Sequence, residues 1–337
     1  MKRKKIFSIA ALVLGATLFT ACTNVDHKVT FSQYWNYDVN VAPTNAVEEL
    51  TYAVSFEQGS GITDNGLSLS YSNGVYTTKL STQTVDDKVL YQYETELKIN
   101  VTYQLGEEKS ATLADSVKST VLFERPASIN EKTTLRPLSS HKEVVSHSPV
   151  NGEIASVDEA YAEYDYTVDV TYELDGTAGK AVVTNNQKQE GDALYKDENT
   201  FEIDTEDYDY LDNEQLLFAL RCLNPSQATA AKFLVYAPFS QTVQTVSTAF
   251  PTSASVANFK GITMDGETID RDISYYPVTI EINATNSGSS HLAWIAKTTN
   301  ASANTYRNVM LRYEAPVSYS LGTLIYELKT AKFTSNQ

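Results

Sequence analysis

The densest group of reactive side chains is an acidic run in the second half of the chain. It contains, in order, Glu202, Asp204, Glu206, Asp207, Tyr208, Asp209, Tyr210, Asp212 and Glu214. Clustered carboxylates suit Ca²⁺, which takes about six to eight oxygen ligands. The candidate calcium ligands are Asp204, Glu206, Asp207 and Asp209. The run lacks the glycine and the regular acidic spacing of an EF-hand loop, so a solvated acidic loop beside a helix N-terminus is the alternative.

Histidine is scarce, with four copies in the chain. His141 and His147 lie in one segment rich in Ser, Thr and Pro, and no cysteine or acidic residue completes a metal-binding motif with them. We therefore predict solvated loop histidines. The sequence also lacks a Gly-x-Ser-x-Gly elbow, a phosphate-binding glycine loop and a His-Glu-x-x-His helix. These features favour a non-enzymatic protein without a cofactor, and leave open a hydrolase that uses two paired carboxylates.

Aromatic residues near the two tryptophans suggest a different kind of recognition. The set comprises Trp35 with Tyr34 and Tyr37, and Trp294 with the Tyr275-Tyr276 pair. Exposed rings of this kind stack on sugars, whereas buried rings pack in a core or at the rim of a barrel. Glycan binding therefore depends on whether these rings are exposed.

Cys22 has the most specific chemistry in the chain. Four basic residues at positions 2–5 precede an apolar run over residues 6–19, which is shorter than a membrane span of roughly 20 residues. The sequence Leu18-Phe19-Thr20-Ala21-Cys22 resembles the lipobox of bacterial lipoproteins, with Phe19 in place of the usual leucine. The resemblance implies a signal peptide over residues 1–21 and acylation of Cys22, for example by palmitate. We therefore expect an extracytoplasmic protein, lipid-anchored at the cell surface or on the periplasmic face of a bacterial membrane.

The overall charge argues against two classes of partner. The chain has 26 basic and 42 acidic residues, and loss of residues 1–21 leaves 22 basic residues and a net charge of −20. Such a surface repels nucleic acid and anionic lipid headgroups. Once Cys22 is acylated, Cys222 has no disulfide partner, and its apolar helical surroundings predict a buried and inert thiol.

Strands must position most of these residues, because apolar and polar residues alternate along much of the chain. The clearest alternation covers residues 91–105, which at about 3.4 Å per residue would extend roughly 50 Å. A strand of that length has to coil, bulge or wrap around other elements. Asn73-Gly74 and Asp265-Gly266 predict hairpin turns. Residues 124–156, rich in Pro, Ser and Thr, predict a long irregular connection.

One helix is predicted near residues 212–223. Asp212 is a suitable N-cap, Gln215 completes a capping box, and Asn224-Pro225 ends the segment. Leucines at positions 216, 217, 220 and 223 line one side. Such a helix would pack over a sheet or plug the end of a barrel.

Three short motifs resemble a group of uncharacterised bacterial surface lipoproteins with β-rich, half-barrel-like domains of unknown function. They are the segments at residues 212–221, 235–238 and 311–314, with the sequences DNEQLLFALR, VYAP and LRYE. They lie in the second half of the chain. The resemblance implies a curved antiparallel sheet and transfers no activity or site residues.

The sequence therefore predicts an all-β, mainly antiparallel protein with a curved half-barrel or barrel-like sheet, and a large β-sandwich as the alternative. After the signal peptide we expect a lipidated N-terminal segment over residues 22–49 and a single β-rich domain over residues 50–330, with a possible internal boundary at 124–156. The predicted function is binding of a hydrophobic ligand, a glycan or an envelope partner. Structural assembly of the envelope without a ligand pocket is the main alternative.

Overall fold

The computed structural model describes residue 31 and the ranges 46–59, 66–125, 135–150, 153–173, 178–184, 198–203, 209–223, 230–237, 242–284, 287–297, 308–317 and 321–335. Cys22, Trp35, and the acidic residues Asp204, Glu206 and Asp207 lie outside these ranges.

The described chain forms one sheet of seventeen strands. The strands are β1 (Ala46–Gln58), β2 (Leu67–Val85), β3 (Lys88–Leu105), β4 (Glu108–Lys109), β5 (Leu113–Phe123), β6 (Pro137–Pro149), β7 (Tyr161–Tyr172), β8 (Ala178–Thr184), β9 (Glu198–Glu202), β10 (Tyr210–Asp212), β11 (Ala230–Ala237), β12 (Thr242–Ala249), β13 (Ser255–Met264), β14 (Glu267–Ala284), β15 (Ser287–Ala296), β16 (Met310–Val317) and β17 (Gly322–Ser335). The helical elements are 3₁₀ turns at Val157–Glu159 and Asn213–Gln215, and the helix α1 at Leu216–Leu220.

Backbone pairing gives the order β9-β8-β7-β6-β5-β3-β2-β1-β17-β16-β15-β14-β12-β11-β10. Nearly all neighbours are antiparallel, and consecutive strands usually lie side by side. One continuous sheet, rather than two stacked sheets, confirms the all-β, barrel-like prediction over the sandwich alternative.

The two ends of this sheet meet through side chains. The ring of Phe201 on β9 stacks on that of Tyr236 on β11, with 3.8 Å between centroids. The rings of Tyr172 on β7 and Tyr210 on β10 lie 5.8 Å apart. No backbone pairing joins β9 to β10 or β11 within the described residues, so the barrel-like curve closes here by aromatic packing.

Five strands at the other side of the sheet form a closed ring of their own. β13 pairs with β14 along most of its length, and β14, β15, β16 and β17 pair in succession. The ring closes where Thr263 and Met264 pair in parallel with Thr330 and Ala331.

The predicted strand over residues 91–105 is confirmed as part of β3, and buried residues alternate with more exposed ones along it. The hairpin prediction at Asn73-Gly74 is wrong, because both residues lie inside the 19-residue strand β2. Asn73 has the positive φ of 54° that such a pair favours, but the register shift between Ser72 and Val75 makes it a bulge. The turn falls instead at Asp86-Asp87, which have φ of 47° and 62°.

The segment 124–156 also differs from its prediction. It contains β6, a 13-residue strand paired with both β5 and β7. His141 and His147 therefore lie on a strand and not in a loop. Polar residues on a strand that is exposed on one face resemble a loop in composition, which explains the error.

α1 lies on the inner side of the curved sheet and packs against β3 and β5. Phe218 is fully buried, and its ring centroid lies 5.5 Å from those of Tyr93 and Phe123 and 6.3 Å from that of Tyr91. Burying a side chain of this size contributes roughly 1.5–3 kcal/mol. The helix prediction is confirmed, although the α-helical part is only five residues long.

Candidate functional site

A buried carboxylate, Asp212, joins the start of the helical segment to the sheet. Its Oδ2 accepts hydrogen bonds from the hydroxyls of Ser140 at 2.6 Å and Tyr172 at 2.7 Å, and its Oδ1 accepts one from the backbone N–H of Glu214. Gln215 completes the capping box by accepting from the backbone N–H of Asp212. Burial raises the pKa of Asp212, and these donors oppose the rise. With no exposed surface, Asp212 holds the fold together and is closed to a substrate.

Two ion pairs secure the same segment, one partly buried and one fully buried. The Lys142 ammonium on β6 binds the Glu214 carboxylate. Burial has the largest single effect and lowers the pKa of Lys142, but the charge and hydrogen bond of Glu214 act with the nearby Tyr166 and Asp212 to give a net rise. At the other end, Arg221 binds both carboxylate oxygens of Glu48 on β1, with Nη2 to Oε2 at 2.8 Å, and its Nε donates to the Asn308 carbonyl. Each of these charged groups contacts another protein group. The helical segment is therefore fixed to β6, to β1 and to Asn308.

The inward-facing side chains of β3 pack against other parts of the described protein. Tyr93, Val101 and Tyr103 are buried, and Tyr93 contacts α1 through the ring of Phe218. Leu97 packs against the same core. The side chains that the alternation pattern directs inward therefore contact protein.

A second cluster closes the end of the sheet beside the 3₁₀ turn at Val157–Glu159. His147 Nδ1 lies 2.7 Å from Asp115 Oδ1, and the Tyr103 hydroxyl donates to the His147 carbonyl. The rings of Tyr103 and Tyr161 stack at 5.1 Å. Burial raises the pKa of Asp115, against the opposing effect of its bonds to His147. Within the described residues no nucleophile completes a catalytic triad with this pair, and no group of three or more His, Cys, Asp or Glu side chains has an arrangement that could hold a metal ion.

The outer face of the same strands has an open groove of about 490 Å³ across β1, β2, β3 and β5. Cross-strand register places its side chains in two rows. The first row is Glu49, Lys79 and Glu94, and the second is Thr51, Thr77, Glu96 and Lys118. The buried residues Leu50, Thr78, Thr95 and Ser119 border the groove between the rows.

The charged side chains of the groove form only weak ion pairs with one another. Lys79 Nζ lies 3.7 Å from Glu94 Oε2, and both side chains are about half exposed. Lys98, which is not among the residues that line the groove, has its Nζ 2.8 Å from Glu96 Oε1 in a similarly exposed pair. Exposed pairs of this kind contribute about 0–1 kcal/mol, so a ligand can replace them at little cost. The groove can therefore offer carboxylates, ammonium groups and threonine hydroxyls to a polar partner.

The residues singled out from the sequence lie in several different places. Asp209 is part-buried, and its backbone carbonyl accepts from Leu234, while the other three candidate calcium ligands are outside the described residues. Calcium binding therefore stays a prediction. His141 is exposed and binds Asp169 and Glu143, and the bond to Asp169 raises its pKa. Cys222 is buried, as predicted, and burial raises the pKa of its thiol.

The rings around Trp294 are not free to stack on a sugar. The ring of Tyr275 stacks on Trp294 at 4.5 Å, and the Arg312 guanidinium lies 5.1 Å from the centroid of the indole. Phe259 meets the indole edge-on at 6.2 Å. These contacts favour the alternative that this set packs within the fold. Trp35, Tyr34 and Tyr37 lie outside the described residues.

Sequence patterns located the strands of the groove but not the groove itself. Alternation along residues 91–105 places Glu94 and Glu96 on the polar face of β3, which is one available signal. Which residues of β1, β2 and β5 lie beside them depends on register, and a single chain does not reveal register between distant strands.

Comparisons with known proteins give a limited result. No family model matches the chain, and no curated protein matches it. A solved structure of a β-barrel-like protein of the domain of unknown function DUF1849, from Brucella abortus, aligns with a TM-score of 0.49 and 9% identity over 86% of this chain and 99% of that one. Among the described residues, no helix has the length and apolarity needed to span a bilayer. The fold is shown by the pairing of the described strands, which form an all-β, barrel-like sheet.

Proposed function

We propose that this chain is a lipid-anchored extracytoplasmic binding module, without enzymatic activity, that recognises an envelope partner through the outer face of its sheet. The observation that supports the proposal is the contrast between the two faces of β1, β2, β3 and β5. On the inside, apolar side chains of these strands are buried against α1 and the rest of the core, and on the outside, an open polar groove crosses four strands.

Each class of ligand expected from the sequence is favoured or disfavoured by a particular contact. A hydrophobic ligand needs an apolar cavity, and the residues that would line it on β3 are packed against protein. A glycan site usually has an exposed aromatic platform, and the groove lining contains no aromatic residue. A protein segment that presents amines and hydroxyls suits the carboxylates and threonines of the groove. With three carboxylates against two ammonium groups, the groove favours a basic segment.

The hydrolase alternative needs two accessible carboxylates that converge. Asp212, whose pKa burial raises, is fully buried and has three hydrogen-bond donors, so it does not support this chemistry. The membrane anchor rests on the resemblance of residues 18–22 to a lipobox and on the basic and apolar segments before it.

The binding proposal is tested with defined peptides. Labelled peptides of about six residues, enough to cross four strands spaced about 4.8 Å apart, are titrated by fluorescence anisotropy, one alternating Lys with Thr and one alternating Glu with Thr. We expect the basic peptide alone to bind. The triple variant Glu49→Gln, Glu94→Gln and Glu96→Gln should weaken binding by about tenfold, which corresponds to about 1.4 kcal/mol.

A matched control removes the same number of charges elsewhere. Glu163→Gln, Asp165→Asn and Glu267→Gln alter three exposed carboxylates outside the groove. The control variant should bind the basic peptide as the unaltered protein does. Equal loss in both variants would mean that only the net charge attracts the peptide, and the groove would then have no special role.

A further inference from the structure

Phe31 is the first described residue of the chain, and it is fully buried. Its ring meets that of Phe233 on β11 edge-on, with 6.3 Å between centroids and an angle of 66° between ring planes. Phe233 is itself fully buried, and both residues belong to the main hydrophobic core. Phe31 also forms an isolated β-bridge with the backbone. These contacts place Phe31 among the core residues, although it lies 15 positions before the first strand.

The position of Phe31 limits the distance between Cys22 and the folded protein. Phe31 lies nine positions after Cys22, and a chain of that length extends at most about 30 Å. The next residue that the structure describes is Ala46, at the start of β1 and 24 positions from Cys22. A chain of that length extends up to about 80 Å. A single buried ring therefore shortens the possible tether more than twofold.

We infer that Phe31 is a clasp that fixes the lipid-linked segment to β11 and holds the folded domain close to the bilayer surface. This inference rests on the proposed acylation of Cys22. The clasp matters because the mature chain has a net charge of −20, which repels anionic headgroups. With a long tether, that repulsion would move the domain away from the membrane. With the clasp, the side of the sheet that bears Phe233 stays within about 30 Å of the acylated cysteine.

The inference predicts that the two sides of Phe31 respond differently to lengthening of the chain. An added segment between Cys22 and Phe31 lengthens the tether, whereas the same segment between Phe31 and Ala46 does not. The two insertions have the same composition and leave every described residue in place. Their comparison therefore separates the clasp from general effects of the insertion.

The experiment measures energy transfer from the protein to acceptor lipids. The acylated full-length protein, with Ala249→Cys carrying a donor dye, is reconstituted into vesicles of phosphatidylcholine and anionic phosphatidylglycerol that contain rhodamine-labelled lipid. Ala249 is exposed on β12, three positions from Val246, which pairs with Phe233, and the buried Cys222 is protected from the dye. A Gly-Ser segment of about 16 residues, extending up to about 50 Å, is inserted after Asn24 or after Asn40.

Insertion after Asn24 should lower energy transfer at least about twofold, and insertion after Asn40 should leave it unchanged, because only the first lies within the tether. Phe31→Ala should behave like the insertion after Asn24, with far-ultraviolet circular dichroism confirming that it folds. Equal responses to the two insertions would overturn the clasp, whatever the behaviour of Phe31→Ala. If Cys22 is not acylated, the unaltered protein will not sediment with the vesicles. That result would refute the proposed anchor, and the role of the clasp at the membrane would fall with it.

Discussion

Adjacent residues on the strands β1, β2, β3 and β5 have opposite roles on the two faces of the sheet. Glu48 is buried and paired with Arg221, whereas Glu49, the next residue, is exposed in the groove. Thr95 is buried and shares a hydrogen bond of 2.7 Å with Ser119, whereas Glu94 is about half exposed and its ion pair with Lys79 is loose. Polar groups on the inside hold the helical segment, and those on the outside are available to a partner.

This comparison shows that charge alone does not identify a binding surface in an acidic protein. The inner charges have strong, buried contacts whose loss would destabilise the fold. The outer charges have exposed partners, so their substitution should affect recognition more than stability. Substitutions on the two faces should therefore separate stability from binding.

The largest expected effect concerns Glu48. Glu48→Leu should lower the free energy of unfolding by about 3–5 kcal/mol, because it leaves the buried Arg221 guanidinium without its carboxylate. Urea unfolding followed by circular dichroism measures the change, and Glu49→Leu on the outer face is the control, with an expected change below about 1 kcal/mol. Similar losses at the two positions would show that the faces do not differ. The double variant Glu48→Leu with Arg221→Leu should recover part of the loss.

A smaller effect should follow from titration of Asp212. Its pKa is raised by burial above the ordinary value of 3.8, so the folded state holds the proton more tightly than the unfolded chain. Its contribution to stability is therefore greatest below pH 3.8 and is lost as the pH rises through the folded-state pKa. Asp212→Asn removes this dependence. The free energy of unfolding of the native protein relative to this variant should fall as the pH rises from about 3 to about 6.

Urea titrations at a series of pH values test this prediction. Asp270→Asn, an exposed carboxylate on β14, is the control and should follow the native protein throughout. If the difference between native protein and Asp212→Asn grew in favour of the native protein as pH rose, the hydrogen bonds from Ser140 and Tyr172 would outweigh the cost of burial.

The smallest effect on stability is expected in the groove. Glu94→Gln removes one partner of the half-exposed pair with Lys79 and should change the free energy of unfolding by less than about 0.5 kcal/mol. Thermal unfolding is the appropriate measurement, with binding of the basic peptide measured on the same sample. A stability loss above about 2 kcal/mol would show that the outer face also holds the fold together, and the two faces would then not differ as described.

Periodicity predicted much of the fold, because side chains on a strand alternate between faces. The long strand β3 and the cap of the helical segment by Asp212 were both readable in this way. Asn73-Gly74 was misassigned because a positive φ serves a bulge as well as a turn, and long-range pairing with β3 decides between them. The strand β6 was not predicted, because its Ser and His residues resemble those of a loop.

The candidate site was less predictable than the fold. A groove formed by four strands depends on their register, and the pairs Glu49 with Lys79 and Glu96 with Lys118 join residues 22–30 positions apart. Local patterns contain no information on such pairs. The burial of Phe218 on the inner face could not be predicted from the sequence either, because an apolar helix suits both a sheet surface and a barrel interior.

Binding of an apolar dye and of a fluorescent fatty acid tests most directly whether the inside of the sheet is closed. The native protein should bind neither above background, because α1 occupies the space. Phe218→Ala, which removes a fully buried ring from that space and should lower the free energy of unfolding by about 3–5 kcal/mol, should bind the apolar dye while it is still folded. Stoichiometric binding of the fatty acid by the native protein would contradict the account. It would mean that the inner face binds a hydrophobic ligand.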